Sequence, residues 1–181
     1  MNLSLISSFA IGSVLMLSLV KVNLSLVESS MDSMNDQIAK VNIDNISTVL
    51  SSDIRKIGYR KSGSSLLEAT PQKLTFLGDL EDDGVVDQVT WEWDQTQAVT
   101  ETRNPADYVL TRTVNGHSTD IKLGVIKFGF QYYDDHNVPT TVLDDIRRVK
   151  AVLVSESAEP VGDDYMKAAW EKTFVPLSIA N

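Results

Sequence analysis

The chain has 181 residues, room for a membrane-length helix and one head of about 120 residues with a single core. Its net charge of −9 argues against non-specific nucleic-acid binding, because neutralising phosphates takes clustered Lys and Arg. The absence of cysteine excludes disulfides, thiolate nucleophiles and Cys-based zinc sites, and fits an exported bacterial protein.

Met1 to Val20 carry no charged side chain, a run long enough to cross the hydrocarbon core of a bilayer as one helix. Nothing basic precedes the run, and no small-x-small pair ends it. Lys21 and Asn23 interrupt it, and Leu24, Leu26 and Val27 resume it. That pattern predicts a retained segment and not a cleaved signal peptide. Ser4, Ser7, Ser8, Ser13, Ser18 and Gly12 are small enough for close helix-to-helix approach in an apolar medium. As ordinary anchor residues, the serines would bond back to their own helix. Lys21 is placed to snorkel to an interface. Beyond it, Ile38, Val41, Ile46, Val49, Leu50, Ile54 and Ile57 recur at spacings of three and four, an amphipathic stripe suited to packing on a head. Three units follow: a hydrophobic helix over 1–27, its amphipathic continuation over 28–61, and a β-rich head over 62–181. The basic pairs Arg55-Lys56 and Arg60-Lys61 suit the negative end of the helix dipole, and Gly58 suits its stop.

After Ser62-Gly63-Ser64-Ser65 the period changes from helical to alternating. Strands are expected at 73–77, 89–93, 108–114, 117–121, 125–133 and 146–154, with a last edge strand at 174–177 that tolerates Pro176. Asn115-Gly116 is a hairpin signal. Trp91 and Trp93 share one strand face and read as core, while Trp170 suits a short helix or an interface. The fold class expected is α+β: a long N-terminal helix on an antiparallel sheet.

Asp79, Glu81, Asp83, Gly84 and Asp87 fall at positions one, three, five, six and nine of a calcium-loop pattern. Position twelve is Thr90, without the bidentate carboxylate, and the flanks read as strands. A solvated turn and a weak Ca²⁺ site are the two readings, with the turn favoured; no other cofactor is expected. His117 and His136 read as exposed turn residues, and the acidic pairs Asp134-Asp135 and Asp144-Asp145 as solvated loops. No phosphate-binding glycine loop, nucleophile elbow or metalloprotease motif occurs, so no catalytic residue is expected.

The order of these parts resembles the minor pilins and pseudopilins of type IV pili and type II secretion systems, above all the J-type pseudopilin and W-type minor pilin group. The resemblance runs through Ser51–Arg60, closing on Gly58-Tyr59, and through the acidic turn Asp82–Trp91 leading into an aromatic strand. It continues in Thr111-Arg112-Thr113, Gly124–Tyr132, Ile146–Val154 and Lys172–Asn181. Two features depart from it: the basic, glycine-ended leader is absent, and Leu5 stands where the mature segment normally has a glutamate that pairs with a neighbour's terminal amine. A subunit with Leu5 would suit a tip position, with no subunit ahead of it.

The resemblance implies a structural subunit whose head lies in the periplasm while its helix is held in the inner membrane. The subunit then joins a periplasmic or extracellular filament with other pilin or pseudopilin subunits. Met1, Leu5, Gly12 and Lys21 would be its assembly residues. The rival expectations are a signal-anchored periplasmic binding module that forms no filament and, less favoured, an anchored hydrolase.

Overall fold

The computed structural model describes residues 3–162, 164–176 and 179. Met1 lies outside the described residues, and Leu5 is described by its backbone alone.

One helix, α1 (Leu3–Arg55), spans 53 residues, about 80 Å at 1.5 Å per residue. Every side chain from Ile6 to Met31 is exposed. The hydroxyls of Ser13 and Ser18 donate to the carbonyls of Phe9 and Val14, each at 2.9 Å, so these polar groups are satisfied within the helix itself. Ala39, Ile43, Ile46, Leu50 and Ile54, spaced by three and four, are buried against the head, and Ile57 continues the row past the helix end. The expected stripe is narrower than its sequence: Ile38, Val41 and Val49 are exposed, because the head covers only the sector that contains Ala39 and Ile43. The helix also stops earlier than residue 61. Lys56 to Arg60 form turns, with Gly58 at φ 69° and its N–H bonded to the Leu77 carbonyl at 2.7 Å.

The head is two antiparallel sheets where one was expected. The first joins β1 (Leu66–Ala69), β2 (Lys73–Gly78), β3 (Asp87–Ala98), β4 (Tyr108–Val114) and β5 (His117–Ile121) in sequential order. The second joins β6 (Val125–Tyr133), β7 (Arg148–Glu156) and β8 (Lys167–Phe174). The sequential order follows from hairpin links. Asn115 and Gly116, both at positive φ (50° and 82°), supply the backbone twist that joins β4 to β5. The helix lies on β7 and β8, and the inward residues of β3 close the core from the other side. Trp91, Phe128, Phe130 and Tyr132 form a run of ring contacts with centroids 5.0–6.2 Å apart, linking the two sheets. Both tryptophans of β3 are buried, as their shared face predicts.

Four strand expectations change. β3 runs from Asp87 to Ala98 where 89–93 was expected. β1 was not foreseen, because its four residues carry little alternation. β7 begins two residues late, as Leu143–Asp145 form a 3-10 turn that delivers Ile146 to the core before pairing starts. β8 occupies 167–174 and not 174–177: Trp170 is one of its residues, paired across to Leu153, and Pro176 follows the strand it was assigned to. Proline's missing N–H suits a strand's exit better than its ladder.

Candidate functional site

Two features set the chain apart from an ordinary globular domain: an uncovered apolar helix and the hydrogen-bonded joint that ties it to the head. α1 is long and apolar enough near its N-terminus to cross a membrane, and none of its most apolar stretch is buried by the head. Gly12 and Lys21 lie on this uncovered stretch, and a Cβ at Gly12 would meet nothing within 4 Å.

At the joint, the buried carboxylate of Asp53 on α1 accepts Nε–H and Nη2–H of Arg112 on β4 at 2.7 and 2.9 Å. It also accepts the indole N–H of Trp91 on β3 at 2.8 Å. Arg112 and Trp91 are cross-strand partners in the β3–β4 ladder, which puts both donors opposite one helix position. Bidentate pairing holds the Arg112 pKa above its ordinary value, the hydrogen bond to Asp53 outweighing burial.

The basic residues at the helix end do more than offset the helix dipole. Lys56 Nζ donates to the Leu80 carbonyl and the Asp82 carboxylate, both at 2.8 Å. Arg60 Nη1 donates to the Asp79 carboxylate at 3.1 Å and the Asp82 carbonyl at 2.9 Å. The acidic turn is thereby clasped to the helix terminus.

This clasp accounts for the calcium-like pattern. Asp79 is fully buried and accepts N–H bonds from Asp83 (3.2 Å) and Gly84 (2.9 Å) as well as the Arg60 guanidinium. Burial alone would raise its pKa, but these donors together hold it below the usual carboxylate range. Asp87 accepts from the Leu80 N–H at 2.9 Å and from the Asn115 amide at 2.7 Å. Asp83 accepts its neighbour Val85 N–H at 2.8 Å, and Glu81 is exposed. No three of Asp79, Glu81, Asp83 and Asp87 bring ligand atoms within 4.8 Å of one another. Asp79, Asp83 and Asp87 thus serve as acceptors for N–H and guanidinium groups of the chain itself.

His117 and His136 are both exposed. His136 meets Asp135, and with Asp134 they form the one group of three or more such residues, among those described, whose ligand atoms lie within 4.8 Å. Asp134 is an Asx-turn acceptor there, bonding the N–H groups of His136 (3.0 Å) and Val138 (2.7 Å). The acidic loop is built by turn chemistry.

Sequence reasoning did not single out Asp53 or Arg112. The available signal was an acid, Asp53, inside the apolar row between Leu50 and Ile57, where a carboxylate needs a partner. The partner's identity lay on a strand far along the chain. No protein-family model matches this chain, and no curated protein matches it.

Proposed function

We propose that the chain is a structural subunit of a pilin-like filament, of the type IV pilus or type II secretion kind, held in the inner membrane by the first part of α1. The observation that carries this reading is the single helix that is uncovered and uncharged at one end and locked to a β-rich head at the other. Such a helix is satisfied by lipid before assembly and by neighbouring helices afterwards, since both offer an apolar surround. The joint at Asp53 and the clasp at Lys56 and Arg60 would transmit the position of the helix to the head. Neither step requires chemistry on a substrate.

Top-down mass spectrometry of the protein from its own cells tests the reading. An N-methylated Met1, with a leader encoded upstream, supports prepilin-type processing. A chain that stays monomeric and integral to the membrane under filament-forming conditions overturns it.

A second reading, an anchored binding module, is favoured by one feature. A cleft of about 610 Å³ between α1 and β8 is lined by Ser51, Ser52, Arg55, Trp170 and Lys172, with no carboxylate among its lining residues. An unprocessed N-terminus together with a ligand in that cleft would select this reading.

A further inference from the structure

Past residue 27 the exposed large apolar residues of α1 are Met31, Met34, Ile38, Val41 and Val49. The first four alternate by three and four, and the same spacing extends backward without a break. Leu17, Leu24, Met31 and Ile38 fall at one heptad position and Val20, Val27, Met34 and Val41 at the other, all of them exposed. This is the spacing of an a/d seam, about four heptads long. Asn45, also exposed, takes the next a position.

The upper part of this seam has no cover. Glu28, Asp32, Asp36 and Lys40 interleave with it, and Asp36 pairs with Lys40 at 2.7 Å, so this stretch belongs in water and not in lipid. The head lies about a third of a turn away, on the row through Ala39 and Ile43. Met31 and Met34 are 61% and 63% exposed, and Ile38 and Val41 are 40% and 56% exposed. Beside the two methionines, a cleft of about 630 Å³ opens toward Arg103 and Val161 of the head.

We infer that α1 pairs with the same helix of a second copy, parallel and in register, through the seam from Leu17 to Asn45. Three observations select this occupant. The anchored end forces parallel pairing, since an antiparallel partner would carry its charged half into the bilayer. In the parallel register the flanking positions face each other as Asn23 with Glu28, Ser30 with Asn35 and Gln37 with Asn42, so no like charges meet. Asn45 then faces a second Asn45, the polar a-position pair that fixes register and a two-stranded state; a foreign apolar residue there would leave its amide unpaired. The pairing is isologous, so one sequence supplies both surfaces. It rests on the membrane-anchored part of the reading above and does not require filament growth.

The absence of cysteine makes the test direct. In the full chain in its membrane, Met31→Cys, Met34→Cys, Ile38→Cys and Val41→Cys are made singly and oxidised with copper phenanthroline, with Ser29→Cys and Ser33→Cys as off-seam controls. The expected result is a disulfide-linked species of twice the chain mass at the four seam positions and not at the controls. Adding Ile38→Glu to the Met31→Cys chain should reduce that species by about tenfold, since a carboxylate would enter the seam. Unchanged thermal melting of the head would exclude misfolding as the cause. Equal cross-linking at all six positions, none at the seam, or a product of another mass would overturn the inference. So would cross-links that form only between different positions in mixed populations. That last pattern is a staggered filament contact, which would leave the filament reading standing.

Discussion

The carboxylate of Asp53 accepts two hydrogen bonds from the guanidinium of Arg112, at 2.7 and 2.9 Å, while the Trp91 indole N–H takes a third place on the same group at 2.8 Å. A helix, two strands and the largest buried side chain thus meet at one charge pair, its carboxylate buried and its guanidinium partly exposed. Removing Asp53 leaves the Arg112 charge without its partner and the buried Trp91 indole N–H without its acceptor. Asp53→Ala is expected to destabilise the head by about 3 kcal/mol, measured by urea unfolding with tryptophan fluorescence. Replacing the pair together, as Asp53→Leu with Arg112→Met, should recover part of that loss, because no unpaired ion then remains.

Leu50 is fully buried between the helix and the sheets. Leu50→Ala should cost about 3 kcal/mol from lost burial and the cavity left behind. The exposed Val49→Ala should change the same unfolding curve by less than about 0.5 kcal/mol. Equal effects would place the helix on the head with a different face.

A Cβ built on Gly78 would sit 2.0 Å from the carbonyl oxygen of Lys56, which is backbone and cannot swing aside. Gly78→Ala should therefore push β2 off the helix end and weaken the head by about 2 kcal/mol or more. Loss of amide-exchange protection at Gly58, whose N–H bonds the Leu77 carbonyl, is the local signature to measure.

The Lys56 hydrogen bond holds the Asp82 carboxyl below its ordinary pKa. A lowered folded pKa contributes stability above the unfolded value, and that contribution is lost as pH falls through the folded value. Lys56→Met should thus be less stable than the parent at neutral pH, with the gap narrowing below about pH 4. Asp107 has the opposite sign: burial raises its pKa, so its contribution is present at low pH and lost as pH rises through the folded value. Urea midpoints between pH 2 and 8 would show both trends.

Leu15 and Leu19 are exposed on the uncharged stretch of α1. The pair Leu15→Asp and Leu19→Asp should move the chain from the carbonate-resistant membrane fraction to the soluble one, at about 3 kcal/mol per charge near the helix centre. Head melting should be unchanged, since neither side chain touches the head.

Local chemistry was legible in the chain alone. The uncharged run, the switch from helical to alternating period and the Asn115-Gly116 hairpin depend on a few neighbouring residues, which the sequence orders directly. The α+β class followed from them. Only tertiary structure decided which half of the apolar stripe the head covers, leaving Ile38 and Val41 exposed while Ile43 and Ile46 are buried. It also decided that the acidic turn answers Lys56 and Arg60 and that Asp53 answers Arg112. The physical reason is range. Helix and hairpin propensities act over a few residues, whereas burial and ion pairing depend on which distant strand arrives, and that is set by the collapse of the whole core.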